Sequence, residues 1–316
     1  MSGKKFWLGL KLIPELNKNQ NRLLSYFKTP ENIWKASFKD LIDSGIISLA
    51  AAQKIVEKRV ETNLEKELDK LNFYRVSLLT INDPDYPSLL REISSPPAVL
   101  FTQGRTLSDF GPSVAIVGSR RASLYGKNFA YELARDLSES GVTIVSGLAR
   151  GIDTASHNGA LLGKGSTIGV TGCGLNIVYP PENKKLYEEI EKKGVLISDF
   201  PFGTPPLKQN FPSRNRIISG LSLGVIIVEA SERSGALITA DFALEQGRDV
   251  MAVPGNVKSN LSKGVHKLLK QGAFLIENAD DVFDVFNLYR IKKINNNLKN
   301  KESLSDLEER IIEAIG

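Results

Sequence analysis

From residue 114 to residue 276, short runs of apolar, mostly β-branched residues alternate with amphipathic helical segments, and this alternation constrains the fold most strongly. The apolar runs cover residues 114–117, 142–145, 168–171, 195–197, 225–228, 250–253 and 274–276. Apolar strands separated by helices are typical of a parallel sheet covered by helices on both faces. We therefore expect an α/β fold, an extended Rossmann-like doubly wound sheet over residues 73–288.

The first 72 residues have a helical pattern instead. Helix starts at Pro30 and Ser37 and a turn at Gly45 predict several short helices, and a longer helical segment follows. Two short helices about a glycine turn suit a SAM or helix-hairpin-helix-like module that holds DNA phosphates through backbone amides. The pattern occurs once and lacks a Gly-x-Gly hairpin. We therefore favour a domain whose helices pack against the rest of the protein and do not bind DNA.

Residues 289–316 differ again in composition. Lysine, arginine and asparagine dominate up to residue 301, and one amphipathic helical pattern follows. We interpret the basic part as a linker. The lone helix either docks on the body or opens a truncated winged helix.

Composition narrows the range of partners. The chain of 316 residues carries a net charge of +5 and has a pI near 9.1, which favours polyanionic partners. There is no run of about 18 apolar residues and no signal-peptide pattern, so we expect a cytoplasmic protein without a membrane partner. The chain has one cysteine, Cys173, and two histidines, His157 and His266. These are too few for an internal disulfide or a structural zinc site.

A helix start lies within residues 211–222. Pro212 and Ser213 predict that this helix begins there, with Arg214 and Arg216 in its first turn. The positive end of a helix dipole disfavours cations. An anionic ligand would account for their position.

Two neighbours strengthen this hypothesis. Lys208 adds a third cation to a stretch with no acid between Asp199 and Glu229, and Phe211 adds an aromatic face. Cations interleaved with an aromatic ring are typical of proteins that bind single-stranded nucleic acid. The alternative is a solvated basic loop with Phe211 packed in the core.

Glycine or arginine also follows several predicted strands. These segments are residues 118–120, 147–151, 172–174 and 234–235. Because ligands of open α/β sheets bind beyond the carboxyl ends of the strands, we expect the segments to meet at one anion site. Each segment alone could be only a tight turn.

Enzymatic alternatives have weaker signals. Residues 159–166 resemble a P-loop but are one residue short, and no full G-x-G-x-x-G occurs, so we expect no cofactor. Glu229 is the best lone acid or base, although we favour a structural role as the partner of Arg214 or Arg216. His157 is interpreted as a hydrogen-bonded helix residue and Cys173 as a small buried one.

A family resemblance rests on six segments in order: VAIVGSR (114–120), SGLARGID (146–153), GCG (172–174) with Tyr179-Pro180, FPSRNRIISGLS (211–222), SGALITA (234–240) and VPG (253–255). Together they resemble the DNA-processing protein A (DprA/Smf) family over about residues 76–287. The resemblance implies a homodimeric, non-enzymatic protein that binds single-stranded DNA, protects it during natural transformation and recombination, and loads the RecA recombinase.

The resemblance also implies site residues. The DNA-binding set is Gly118, Ser119, Arg120, Gly147, Arg150, Gly151, Lys208, Phe211, Arg214, Asn215, Arg216 and Ser234. Two positions depart from the family pattern, since Asp199 stands where Glu is expected and His266 where Asn is expected.

Two other functions stay open. One is a nucleotide phosphoribohydrolase-like enzyme on the same fold, whose P-G-G-x-G-T-x-x-E loop residues 234–239 do not match. The other is a sensor of a small nucleotide-derived ligand.

Overall fold

The computed structural model describes residues 3–164 and 166–287. The linker and lone helix predicted for residues 289–316 lie outside these residues. Helices come first along the chain: α1 (Lys4–Leu12), α2 (Pro14–Lys18), α3 (Gln20–Phe27), α4 (Pro30–Lys35), α5 (Phe38–Asp43), α6 (Leu49–Glu61) and α7 (Leu64–Phe73). Thr29, Ser37 and Ser48 cap α4, α5 and α6 by accepting from backbone N–H groups.

A sheet of nine strands follows in the described part of the chain. The strands are β1 (Ser77–Thr80), β2 (Val99–Gly104), β3 (Ser113–Val117), β4 (Thr143–Ser146), β5 (Thr167–Thr171), β6 (Val195–Ser198), β7 (Gly224–Ile227), β8 (Asp249–Ala252) and β9 (Phe274–Leu275). Their order is β1-β2-β6-β5-β4-β3-β7-β8-β9. The seven strands from β6 to β9 in this order are parallel, whereas β2 pairs antiparallel with β6 and β1 antiparallel with β2.

Helices cover both faces of the sheet: α8 (Ser88–Arg91), α9 (Leu124–Glu139), α10 (Ile152–Ala160), α11 (Lys184–Lys193), α12 (Asn210–Gly220), α13 (Gly235–Glu245), α14 (Lys263–Lys270) and α15 (Ala279–Phe286). Alternate residues of β3 enter different cores. Val114 and Ile116 pack with α9, α10 and α15, and Ala115 and Val117 pack with α12, α13 and α14. The predicted doubly wound sheet is confirmed, and its order reverses between β3 and β7, the switch point at which such sheets bind ligands.

The N-terminal helices share a core with one end of the sheet. Residues of α1 to α7 pack in one cluster with Val99, Phe101 and Leu196. A buried ion network adds to this contact, because Asp199 pairs with Lys11 of α1 and, at 2.7 Å, with Arg216 of α12. Asp199, which stands where the family pattern has Glu, therefore bridges two cations despite its shorter side chain. The domain boundaries near residues 72 and 288 stay a prediction.

No helix among residues 3–164 and 166–287 combines the length and the apolar character that crossing a membrane requires.

Candidate functional site

A cleft of about 790 Å³ opens where β3 and its neighbours end. The loop after β3, the start of α12 and the start of α13 line it. Four cations, Arg120, Arg121, Lys208 and Arg214, face one carboxyl group, the buried Asp153, among the cleft residues that the structure describes. The cleft therefore has a positive potential and suits an anionic ligand.

Phe211 presents a half-buried ring in this cleft. The guanidinium of Arg120 lies 5.2 Å from its centroid, and the ring of Tyr179 lies 5.4 Å away at 39°. Gly172 makes room for the ring, because a Cβ there would come within 2.8 Å of it. Phe211 is half-buried and lines the cleft, so the alternative in which it packs in the core is wrong.

Arg214 lies beneath the ring and is only 3% exposed. Its Nη1 donates to the carbonyl of Gly147 at 2.7 Å and to that of Val170. Asp153 accepts from the N–H groups of Gly147 (3.1 Å) and Ala149 (3.3 Å). Arg214 thus ties the ends of β4 and β5 together and forms the floor of the cleft.

Burial changes the titration of both groups. Removal from water raises the pKa of Asp153 to about 6, although the charge of Arg214 and the two N–H donors act in the opposite direction. Burial likewise lowers the pKa of Arg214. Both groups are buried at the floor of the cleft.

The predicted start of α12 is wrong. The helix begins at Asn210, so Arg214 and Arg216 lie in its second turn rather than its first. Ser213 does not cap it, since its hydroxyl donates to the carbonyl of Asn210 at 3.0 Å. Arg214 is held by strand-end carbonyls instead, a contact that no local sequence pattern encodes.

Eight of the twelve predicted site residues line the cleft: Gly118, Ser119, Arg120, Lys208, Phe211, Arg214, Asn215 and Ser234. Arg120, Lys208 and Arg214 therefore share one cleft. Contact of any of these residues with DNA stays a prediction.

The other four predicted residues have different surroundings. Arg216 points to Asp199, and Arg150 forms an exposed pair with Glu182. Gly147 lies against Arg214, where a Cβ would come within 2.4 Å of Nη1. Gly151 has a φ of 77°, and a Cβ there would lie 2.2 Å from the carbonyl oxygen of Ser119, so this glycine serves close packing of two loops.

Among the cleft residues outside the predicted set are a cation and an aromatic residue, Arg121 and Tyr179. Arg121 follows Arg120 in the same loop, and Tyr179 belongs to the Tyr-Pro pair after the glycine segment 172–174. Tyr179 was visible in the quoted Tyr-Pro pair, whereas Arg121 lies one residue beyond the VAIVGSR segment.

The favoured interpretation of Glu229 as an arginine partner is wrong. Its carboxylate accepts from the backbone N–H of Ser123 at 2.8 Å and from the Ser123 hydroxyl at 2.6 Å. It is 6% exposed and does not line the cleft. Glu229 therefore fixes the start of α9 and the loop that carries Arg120.

His157 and Cys173 are both buried, as interpreted. The His157 Nδ1 lies 2.7 Å from Thr167 Oγ1, whose own proton goes to the carbonyl of Ile144. Nδ1 must therefore carry a hydrogen and donate. Burial lowers the pKa of His157 to about 3, so the ring is neutral.

The fold and the cleft define the chain as a doubly wound α/β protein with a cationic, aromatic-bearing site at the switch point of its sheet. The family model described as DNA recombination-mediator protein A matches residues 77–287. The chain belongs to this family, which confirms the resemblance noted in the sequence.

Three relatives illustrate the relationship. Protein Smf of Synechocystis is 41% identical over 259 residues, which are 81% of this chain and 65% of that protein, so the chain spans about two thirds of its length. The X-ray structure of DNA processing protein A from Streptococcus pneumoniae superposes with a TM-score of 0.77 and 38% identity, covering 89% of this chain and 97% of that one.

DNA processing protein A from Helicobacter pylori, described for its single-stranded DNA binding mode, superposes with a TM-score of 0.61. It has 33% identity and covers 67% of this chain and 95% of that one.

Proposed function

We propose that this chain binds single-stranded DNA in the cleft at the ends of its parallel strands. The observation that carries the proposal is the Arg120 guanidinium over the half-buried Phe211 ring, with Lys208 and Arg121 in the same cleft. Cations neutralise phosphates, and the ring offers a stacking surface for a base. A ring inside a cleft is accessible to an unpaired base but not to one stacked in a duplex.

Backbone groups complete the site. The helix α13 begins at Gly235, where an added Cβ would meet nothing within 4 Å, so a ligand has open access to this backbone. Its first turn carries no acid. Ser234 caps this helix by accepting from the Ala236 N–H at 3.3 Å, so a phosphate would share the helix N-terminus with this hydroxyl.

The relationship to the Helicobacter pylori protein supports the proposal, since that relative is described as binding single-stranded DNA and is 33% identical. From the family we further propose that the chain acts in natural transformation and recombination, as a cytoplasmic homodimer that hands the strand to the RecA recombinase. We propose no catalytic step.

The test is fluorescence anisotropy with a labelled single strand, the matching duplex and a mononucleotide over a range of salt concentrations. We expect the single strand to bind far more tightly than the other two ligands. Its affinity should fall steeply with salt in proportion to the phosphates neutralised. Equal affinity for duplex and single strand, or binding insensitive to salt, would contradict the proposal.

The handover and the dimer are tested separately. Sedimentation should give twice the mass of one chain, and the protein should shorten the lag of RecA filament formation on a single strand covered by single-strand-binding protein. A monomer, or an unchanged lag, would remove that part of the proposal and leave DNA binding intact.

A further inference from the structure

A second cavity, of about 590 Å³, lies beside the cleft. Its residues come from the start of α9, the segment after β8 and the segment before α14. The two spaces share walls, since Glu229 and Ser262 line the cavity while Ser231 and Leu261 line the cleft. The cavity and the cleft are therefore neighbouring spaces.

The cavity contains a carboxylate without a cationic partner. Glu229 is buried, and no lysine or arginine among residues 3–164 and 166–287 forms an ion pair with it. Its two oxygens accept from Ser123, and each carboxylate oxygen has a further lone pair. A ligand that donates hydrogen bonds would complete the coordination of this group.

An aromatic ring lies at the same cavity. Tyr125 is 52% exposed, and its hydroxyl donates to the carbonyl of Pro254 at 3.0 Å, which anchors the ring across the opening. Burial and then the negative charges of Glu229 and Glu277 raise the pKa of Tyr125. Asn256 adds an amide whose oxygen already accepts from the N–H of Lys258.

We propose that this cavity is a nucleobase pocket for one base of the strand held in the cleft, stacked on Tyr125 and donating an exocyclic amino group to Glu229. The proposal rests on the proposed single-stranded DNA binding. A cavity of this volume has the size of a small-molecule site. Stacking plus hydrogen bonds to the base edge is the usual way in which proteins read an unpaired base.

The pocket predicts a preference among bases. Cytosine offers its N4 amino group to a carboxylate, whereas thymine has an oxygen at that position and offers only its N3–H, which lies between two acceptor oxygens that the carboxylate repels. Because a hydrogen bond to a charged group is stronger than one between neutral groups, we expect cytosine to be favoured over thymine by about tenfold.

The test compares oligodeoxycytidine with oligothymidine of equal length, at mildly alkaline pH, by competition anisotropy with the full chain. The wild type should prefer oligodeoxycytidine. Glu229→Gln keeps one acceptor and gains a donor that matches thymine, so the preference should shrink or reverse.

Glu229 also anchors the start of α9, so a substitution there acts on the fold as well as on the pocket. Variants of Tyr125 therefore provide an independent test. Tyr125→Ala should bring the affinity ratio of the two oligomers toward one, and Tyr125→Phe, which keeps the ring, should preserve it. Equal affinity in the wild type, a preference for thymine, or a ratio unaffected by Tyr125→Ala would overturn the nucleobase pocket and leave the cleft proposal standing. Absence of binding to either oligomer would overturn both proposals.

Discussion

The guanidinium of Arg120 lies 5.2 Å from the centroid of the Phe211 ring, and this contact joins the loop after β3 to helix α12. The two side chains come from segments 91 residues apart in the chain, yet they present a charge and a π face side by side. A cation and an aromatic ring are the two groups that a protein offers to the phosphates and the bases of a single strand.

Removal of Arg120 should weaken single-strand binding through charge. We expect Arg120→Ala to reduce the slope of log affinity against log salt by about 1, because one phosphate contact is lost. Anisotropy titrations at several salt concentrations measure this slope. Arg135→Ala is the control, since Arg135 is an exposed cation of α9 that pairs with Asp136 and does not line the cleft. Equal slopes for the two variants would remove Arg120 from the interface.

A substitution at Gly172 tests whether the position of the Phe211 ring matters for DNA binding. The Cβ of Gly172→Ala would lie 2.8 Å from Phe211, so the ring must move, and overpacking of this kind costs about 1–3 kcal/mol. We expect weaker single-strand binding with an unchanged salt slope. Phe211→Leu removes the stacking face, and in this background Gly172→Ala should cost little more, because the clash is relieved. Additive losses in the double variant, measured by anisotropy, would show that Gly172 acts without Phe211.

Much of the α/β body follows from local patterns in the sequence. Strands such as β3 and β4 are continuous apolar runs because both faces are buried, and the glycines at their ends indicate close backbone approach. The antiparallel pairing of β1 and β2 was not predicted, since the strand pattern of residues 76–101 contains no information about its neighbour in the sheet.

The partners of Arg214 and Arg216 could be identified only from the structure. Arg214 and Arg216 are two residues apart, yet one binds strand-end carbonyls and the other pairs with Asp199. Their different partners follow from helix geometry, because positions two apart on a helix face different sides. The start of α12 at Asn210 shifts both residues relative to the predicted helix, and no capping residue indicated that start.

Substitutions of Arg214 and Arg121 should separate effects on protein stability from effects on DNA binding. Arg214→Met leaves the buried carbonyls of Gly147 and Val170 without their donor and removes the positive charge that acts on Asp153, so we expect a loss of about 1–3 kcal/mol in the free energy of unfolding. Arg121→Met, at an exposed cation, should change stability by less than about 0.5 kcal/mol while lowering DNA affinity. Urea unfolding and anisotropy give the two quantities. A stable Arg214→Met variant would contradict the role of Arg214 as the cleft floor.

The buried network at Asp199 should stabilise the contact between α1 and the sheet. Lys11 is 2% exposed, burial lowers its pKa, and its pairing with Asp199 acts against that shift. Asp199→Asn should therefore cost about 3–5 kcal/mol, because a buried cation loses its partner. Glu31→Gln removes an exposed pair with Lys35 and should cost at most about 1 kcal/mol. Similar midpoints for the two variants in urea would show that the network contributes nothing beyond a surface pair.

His157 should make the fold sensitive to acid. Its pKa is lowered from 6.5 to about 3, so the folded protein holds it neutral where the unfolded chain protonates it. The stability that it contributes is present above pH 6.5 and is lost as the pH falls toward 3, by about 1.4 kcal/mol per pH unit. Asp153 acts with the opposite sign, because its pKa is raised to about 6 and its protonation favours the folded state as the pH falls from 6 toward 3.8.

Single variants separate these opposed contributions. Relative to wild type, His157→Gln should become progressively more stable as the pH falls from 6.5, since its side chain takes up no proton and can still donate to Thr167. Asp153→Asn should instead lose stability relative to wild type between pH 6 and about 4, because the wild type gains stability there by binding a proton. Urea unfolding at a series of pH values measures both differences. Parallel stability curves for wild type and His157→Gln would mean that the buried imidazole is not the acid-sensitive group.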